Sequence, residues 1–208
     1  ISHFTKMTIP TRIFIALCLA SLMCTTSFAA DEKNRFSARG VGGEKCETLV
    51  SILESKDEKQ LTKYVPIFIG WVDGYISYIN RIEKNTYNAV PFISGPEILA
   101  LVTQQCKKKP EVRLEETVHH TVSVLAKHKI VKESPTVNVT VEKNTGLYYK
   151  ETIIEIQNKL SKLGYYKGKS DGSFNDTTIQ ALKLFQKSQE LTESGFPNMD
   201  TLLKLLYN

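Results

Sequence analysis

Histidine, cysteine and tryptophan are scarce in this sequence, and no segment carries a long block of like charge. The 208 residues contain four histidines, four cysteines and one tryptophan, and the net charge at pH 7 is only +5. Hydrophobic residues make up 41% and charged residues 24%, which excludes a disordered chain, a collagen-like chain and a protein with several membrane spans. The weak positive charge also excludes a dedicated nucleic-acid-binding arm, so nucleic acid is not expected as a partner.

The sequence also lacks the common catalytic and metal-binding patterns. It has no His-Glu-x-x-His, no Gly-x-Ser-x-Gly and no Cys/His spacing typical of zinc. We interpret His119, His120 and His128 as an exposed helix face, with a pH-sensitive switch as the alternative. Glu115 and Glu116 are neighbours on one helix, not an acid/base pair across a cleft. The sequence therefore predicts a protein that is not an enzyme, with no catalytic residues, no metal and no cofactor.

The one long apolar run lies near the N-terminus. Residues 13–23 are uncharged and apolar, follow two basic residues, and precede a stretch that ends in Ala29 and Ala30. This arrangement is typical of a secretory signal peptide cleaved after one of those alanines, and the run is shorter than the about 20 residues of a membrane span. Residues 1–30 are thus expected to be sequence upstream of Met7 followed by the signal, with no stable membrane anchor after cleavage. An uncleaved anchor and cysteine lipidation are the alternatives.

Two cysteines remain after the predicted cleavage, Cys46 and Cys106. An even pair in an exported protein indicates a disulfide, with two free thiols as the alternative. Such a bond would close a loop of about sixty residues and stabilise the fold by roughly 4 kcal/mol.

The rest of the sequence divides by composition and periodicity. Residues 31–43 are polar and rich in glycine, and we expect a flexible leader there. Apolar residues then recur at helical spacing through a first domain, residues 44–130. That domain is expected to contain four helices, at 44–53, 64–82, 94–106 and 114–127.

Residues 131–146 are rich in threonine, valine and asparagine. We interpret them as an extended linker, while the alternation of Val137, Val139 and Val141 leaves a strand as the alternative. Residues 147–208 are expected to form a second domain of three short helices. The predicted fold class is therefore all-α, with a disulfide-linked four-helix domain followed by a three-helix bundle.

A series of motif residues runs through the second domain in order. They are Ile156-Gln157, Leu163-Gly164-Tyr165-Tyr166-x-Gly168, Asp171-Gly172-x-Phe174, Thr178, Ala181, Phe185-Gln186, Gly195 and Thr201-Leu202. With these residues the domain resembles the peptidoglycan-binding domain found at the ends of many bacterial cell-wall hydrolases. Asn175 and Ser194 depart from the family pattern, which has glycine and aspartate there.

The resemblance implies peptidoglycan as a partner. Because a small bundle need not bury every polar or aromatic side chain, we expect ligand contacts from Tyr165, Tyr166, Asp171, Asn175, Thr178 and Gln186. A purely covering role is the alternative for the two tyrosines. The expected core residues of this domain are Leu163, Phe174, Phe185 and Leu205.

The first domain carries a second set of motif residues, Cys46-Glu47, Trp71-x-x-Gly74-Tyr75-Ile76-Ser77, Asn80 and Cys106-x-x-x-Pro110. With them it resembles the helical periplasmic proteins of the HdeA and Rap1a/Tai type, which include acid-stress chaperones and immunity proteins. We therefore expect a periplasmic or secreted, cell-wall-associated protein that binds peptidoglycan and presents a helical domain to a protein partner. A wall-tethered stress chaperone or toxin-immunity protein is the alternative, and a hydrolase accessory or cryptic hydrolase is a further one.

Overall fold

The computed structural model describes residues 30–31 and 35–207, and the chain divides into two compact units, Ile1–Ser37 and Ala38–Asn208. The predicted signal peptide lies outside the described residues apart from Ala30. In the first unit, Arg35 forms an ion pair with Asp31 at 3.0 Å. Over the described part of the chain, no helix is both long enough and apolar enough to span a membrane.

The described part of the second unit contains seven α-helices and one two-stranded antiparallel sheet. In chain order they are α1 (Cys46–Leu53), α2 (Glu58–Ile82), α3 (Gly95–Lys108), α4 (Leu114–Leu125), β1 (Thr136–Val141), β2 (Asn144–Tyr149), α5 (Lys150–Lys162), α6 (Asp176–Ser188) and α7 (Met199–Leu206). The protein is therefore mostly helical, as expected, but the small sheet corrects the prediction of an all-α fold.

The first four helices bury their apolar faces against one another. Leu49, Phe68, Val102 and Val118, one from each helix, are almost fully buried. The predicted disulfide is confirmed: it joins Cys46 at the start of α1 to Cys106 in the last turns of α3, with their Cα atoms 4.9 Å apart. The bond thus ties together two helices that are 60 residues apart in sequence.

Helix α2 begins six residues before the predicted start. Asp57 caps it, because its carboxylate accepts a hydrogen bond from the Lys59 amide at 2.9 Å. Pro66 therefore lies inside the helix and not in its first turn. Since proline has no amide hydrogen, residue 66 cannot donate to the Thr62 carbonyl, and both residues are exposed to solvent.

Part of the expected flexible leader is docked on α2. Residues Gly40–Gly43 form a 3-10 turn against Trp71, whose indole donates a 2.8 Å hydrogen bond to the Arg39 carbonyl. A Cβ atom at Gly42 would lie 2.0 Å from the Trp71 ring, so only glycine allows this approach.

The segment interpreted as a linker contains β1 and the start of β2, so a hairpin replaces the extended linker. The pairing runs from Thr136 opposite Tyr149 to Val141 opposite Asn144. Val139 and Val141 are buried, as the alternative strand interpretation requires. The reason is that a partner strand follows directly and its Tyr148 is buried with them.

Long-range hydrogen bonds join the helices before the hairpin to those after it. The Thr152 hydroxyl donates to the Pro91 carbonyl at 2.9 Å, and the Tyr207 hydroxyl donates to the Leu125 carbonyl at 3.0 Å. His128 pairs with Glu155 and packs edge-on against the Tyr207 ring, with only 15% of its side chain exposed. The expectation that His128 lies on an exposed helix face is therefore wrong, because α5 and the C-terminal residues cover it. The domain boundaries themselves stay a prediction.

Candidate functional site

The loop between α5 and α6 is held by a buried glutamine. Gln157 lies on α5 and is fully buried. Its amide nitrogen donates to the Ser173 carbonyl at 2.9 Å and to the Thr178 hydroxyl at 3.1 Å. Its amide oxygen accepts from the Gly172 amide at 2.9 Å. One side chain thus forms hydrogen bonds with both the loop backbone and the first turn of α6.

The loop between α6 and α7 repeats this arrangement. Gln186 donates to the Phe196 carbonyl at 2.9 Å and to the Thr201 hydroxyl at 3.0 Å, and accepts from the Gly195 amide at 2.7 Å. Its side chain is also fully buried. Gly195 has a φ of +72°, close to the +78° of Gly172, and that left-handed conformation favours glycine.

Each loop ends in the same helix cap. The Asn175 side chain accepts from the Thr178 amide at 3.2 Å, and the Asn198 side chain accepts from the Thr201 amide at 3.0 Å. The sequence contains this repeat as Gly-x-x-Asn-x-x-Thr, at residues 172–178 and 195–201. This repeat is the local signal in the sequence for a structural role of the two threonines and the two glutamines.

Helix α5 ends in a Schellman motif at Gly164, which has a φ of +83°. The Tyr165 amide donates to the Leu160 carbonyl at 2.9 Å, and the Gly164 amide donates to the Ser161 carbonyl at 3.0 Å. Leu163, which was expected in the core, is 53% exposed. The turn therefore leaves Leu163 exposed and Tyr165 half-buried just after the end of α5.

Three of the six residues expected to contact a ligand are buried. Tyr166 is 3% exposed and donates from its hydroxyl to the Lys169 carbonyl at 3.0 Å. Thr178 and Gln186 are fully buried within the glutamine networks. The assumption that a small bundle leaves such groups exposed fails for these three residues, because the loop backbone needs their hydrogen bonds.

The other three expected contact residues are accessible. Tyr165 is half-buried and meets the Phe185 ring edge-on at 5.9 Å. Asp171 is partly exposed, and hydrogen bonds from Ser173 lower the pKa of its carboxyl. Asn175 is exposed; its side-chain oxygen caps α6, and its amide nitrogen has no hydrogen-bond partner within residues 35–207. These three side chains offer an aromatic face, an anion and a hydrogen-bond donor.

The histidines of α4 do not assemble a metal site. The Tyr75 hydroxyl and His119 Nδ1 are 2.7 Å apart, and burial, followed by the charge of Glu115, raises the pKa of Tyr75 to about 12. Among the described residues, no group of three or more histidine, cysteine, aspartate and glutamate side chains could hold a metal ion.

Residues 149–205 match the family model described as "Putative peptidoglycan binding domain". The matched segment begins at the end of β2, spans α5 and α6 and most of α7, and contains both glutamine networks. The match confirms the predicted C-terminal peptidoglycan-binding domain. No curated protein and no solved structure matches the chain. The resemblance of residues 44–130 to the HdeA and Rap1a/Tai type stays a prediction.

Proposed function

We propose that the protein is exported, is not an enzyme, and binds peptidoglycan through residues 149–205. The family match over those residues is the observation that carries this proposal. Two further features support export. Residues 13–23 have the pattern of a signal peptide, and the Cys46–Cys106 disulfide suits an oxidising compartment.

The ligand contacts that we propose are Asp171 and Asn175 at the start of α6, and Tyr165, which meets Phe185 near the other end of that helix. The face of an aromatic ring packs well against a sugar ring, while carboxylate and amide groups hydrogen-bond to peptide stems. Because Gln157 fixes the loop between α5 and α6 from within, the exposed groups of that loop are held on a rigid framework. Tyr166, Thr178 and Gln186 then act by positioning the loops and do not touch the ligand.

Co-sedimentation of the full chain with purified sacculi tests this proposal. We expect wild type to pellet with sacculi, and Tyr165→Ala and Asp171→Asn each to lower the bound fraction several-fold. Asn175→Asp keeps the oxygen that caps α6 but removes the free amide donor, so it should weaken binding without unfolding the helix. Tyr78→Ala and Asn158→Asp, both at exposed positions, are the matched controls. Failure of wild type to pellet would contradict the proposal.

Release of muropeptides from sacculi tests the proposal that the protein is not an enzyme. Sacculi incubated with the pure protein should release no soluble muropeptides above the buffer control. Release that scales with protein concentration would show a cell-wall hydrolase.

A second candidate function for the helical half is a wall-tethered stress chaperone. It is favoured by the exposure of apolar side chains on α2, where Ile67 is 48%, Tyr78 59% and Ile82 51% exposed. The protein should then suppress aggregation of an acid-denatured client, and Tyr78→Ser with Ile82→Ser should reduce that effect. An unchanged effect in this double variant would contradict a role for this surface. The toxin-immunity alternative stays a prediction.

A further inference from the structure

A cavity of about 240 Å³ lies where the start of α3, strand β2 and the α6–α7 loop meet. Glu97 of α3 and Ser94 just before that helix line it on one side, Thr145, Leu147 and Tyr148 line it from β2, and Phe196 lines it from the loop. The cavity therefore joins the helical half to the segment that matches the peptidoglycan-binding family.

Glu97 is the charged group of this cavity. Its side chain is partly buried, and burial raises the pKa of its carboxyl, while a hydrogen bond from Ser94 lowers it by less. Among the described residues, no lysine, arginine or histidine lies within ion-pair distance of it. A partly buried carboxylate without a cation is costly to the fold, so an external cation would offset that cost.

The charge of Glu97 also acts on Tyr148 in the cavity wall. Burial raises the pKa of Tyr148, and the negative charge of Glu97 raises it further. The Tyr148 hydroxyl donates to the Pro197 carbonyl at 3.0 Å, so its hydrogen is not directed to Glu97. The carboxylate is thus left to pair with a group that enters from outside.

Leu147, Tyr148 and Phe196 belong to the apolar part of the lining, beside the polar Ser94 and Thr145. The Tyr148 and Phe196 rings meet edge-on with centroids 5.9 Å apart, and Leu147 is 43% exposed at the cavity. A Cβ atom at Gly146 would lie 2.9 Å from the Tyr148 ring, so the lack of a side chain at Gly146 allows the ring to lie close to the strand. Such walls suit the methylene groups of an alkyl chain.

We propose that this cavity binds a primary ammonium group carried on a short aliphatic chain. Glu97 accepts the ammonium hydrogens, and Leu147 and Phe196 pack against the methylene groups. This inference rests on the proposed function, since the amine-bearing side chain of a diamino acid in a peptidoglycan stem has this chemistry. The cavity would then bind the peptide part of the polymer.

Titration of the full chain with Nα-acetyl-lysine amide, followed by NMR, tests the cavity directly. We expect shifts at the Gly146 and Leu147 amides, and at least tenfold weaker binding in Glu97→Gln. Glu151→Gln, an exposed first-turn glutamate of α5, is the matched control and should bind as wild type does. Nα-acetyl-norleucine amide has a comparable alkyl chain but no amine and should bind at least tenfold more weakly. Equal binding of both probes, or no binding of the lysine probe to wild type, would overturn the inference.

A second variant tests the same cavity while Glu97 stays in place. Thr145 is exposed on β2, so Thr145→Lys can place an ammonium of the protein itself in the cavity without disturbing the core. The lysine probe should then bind at least tenfold more weakly than to wild type. Undiminished binding would overturn the assignment of the cavity.

Retention on sacculi distinguishes a failure of this inference from a failure of the proposed function. Acetylation of the free amines of sacculi should lower retention of wild type, while retention of Glu97→Gln should be low on both preparations. If wild type binds the lysine probe but not sacculi, the proposed function fails and the cavity assignment stands. If acetylation leaves retention of wild type unchanged, binding to the wall does not use this cavity and the inference fails.

Discussion

Gln186 donates a 3.0 Å hydrogen bond to the Thr201 hydroxyl, and both side chains are fully buried. Gln157 has the same relation to Thr178 at 3.1 Å. Each glutamine also accepts the amide hydrogen of a glycine that has a positive φ. The three C-terminal helices are therefore connected by two matching hydrogen-bond networks, and these networks determine the shape of the loops.

Replacing Gln186 by leucine should destabilise the protein strongly. The Gly195 amide would lose its partner in the interior, while the Phe196 carbonyl would keep only the Asn198 amide and the Ser194 hydroxyl; the unpaired amide costs about 1–3 kcal/mol in the free energy of unfolding. Urea denaturation measures this loss. Gln180→Leu, at an exposed position of the same helix, is the control and should change the value by less than about 0.5 kcal/mol. A small effect at Gln186 would show that water can replace the network.

Glu190→Gly should stabilise the protein. Glu190 has a φ of +56° just after α6, in a turn where the Leu191 amide donates to the Gln186 carbonyl at 2.9 Å. A non-glycine residue in this left-handed conformation costs about 1 kcal/mol, which glycine avoids. Thermal unfolding should show a higher midpoint for the variant. Glu193→Gly, in the same loop, is the control and should give no gain, since glycine there only adds flexibility to the unfolded chain.

Removing the disulfide should cost about 4 kcal/mol, because the bond closes a loop of 60 residues in the unfolded chain. The double variant Cys46→Ala with Cys106→Ala isolates this effect in urea denaturation. A reducing agent should lower the stability of wild type toward that of the double variant and leave the double variant unchanged. Equal stability of wild type with and without reductant would contradict the expected contribution.

The stability contributed by Glu97 should fall as the pH rises. Burial raises the pKa of its carboxyl, so the folded protein holds the proton more tightly than the unfolded chain does. As the pH increases from the ordinary value of 4.5 through the raised value, the unfolded state releases protons first, and the free energy of unfolding decreases. Burial also raises the pKa of Asp73 and Glu115, which act in the same direction.

Comparison of wild type with Glu97→Gln between about pH 4 and pH 7 checks this sign. The variant should gain stability relative to wild type as the pH rises, since glutamine carries no charge to desolvate. A difference that does not change with pH would contradict burial as the cause.

Local sequence was enough to indicate most helices. Apolar spacing of 3.6 residues gave α1, α3 and α4 close to their observed positions, and the expected three helices after residue 147 are α5, α6 and α7. The start of α2 was missed because its first residues, 58–63, are mostly polar and show little apolar periodicity. Asp57 was the local signal that could have placed it.

The hairpin shows where local pattern becomes ambiguous. An alternating stretch such as Val137, Val139 and Val141 has the same appearance in a strand and in an extended linker. The difference depends on a partner strand, and the second half of β2 lay within the residues assigned to the second domain. Pairing is a property of two segments, so neither segment alone could decide it.

By itself, the sequence determined the disulfide partners and the C-terminal family, since both follow from residue identities and their spacing. Tertiary structure alone decided which polar side chains are buried. It placed Gln186 and Tyr166 inside, covered His128 with Glu155 and Tyr207, and left Glu97 facing a cavity. Burial depends on neighbours that are distant in the chain, and it changes a polar side chain from a possible ligand contact into part of the framework.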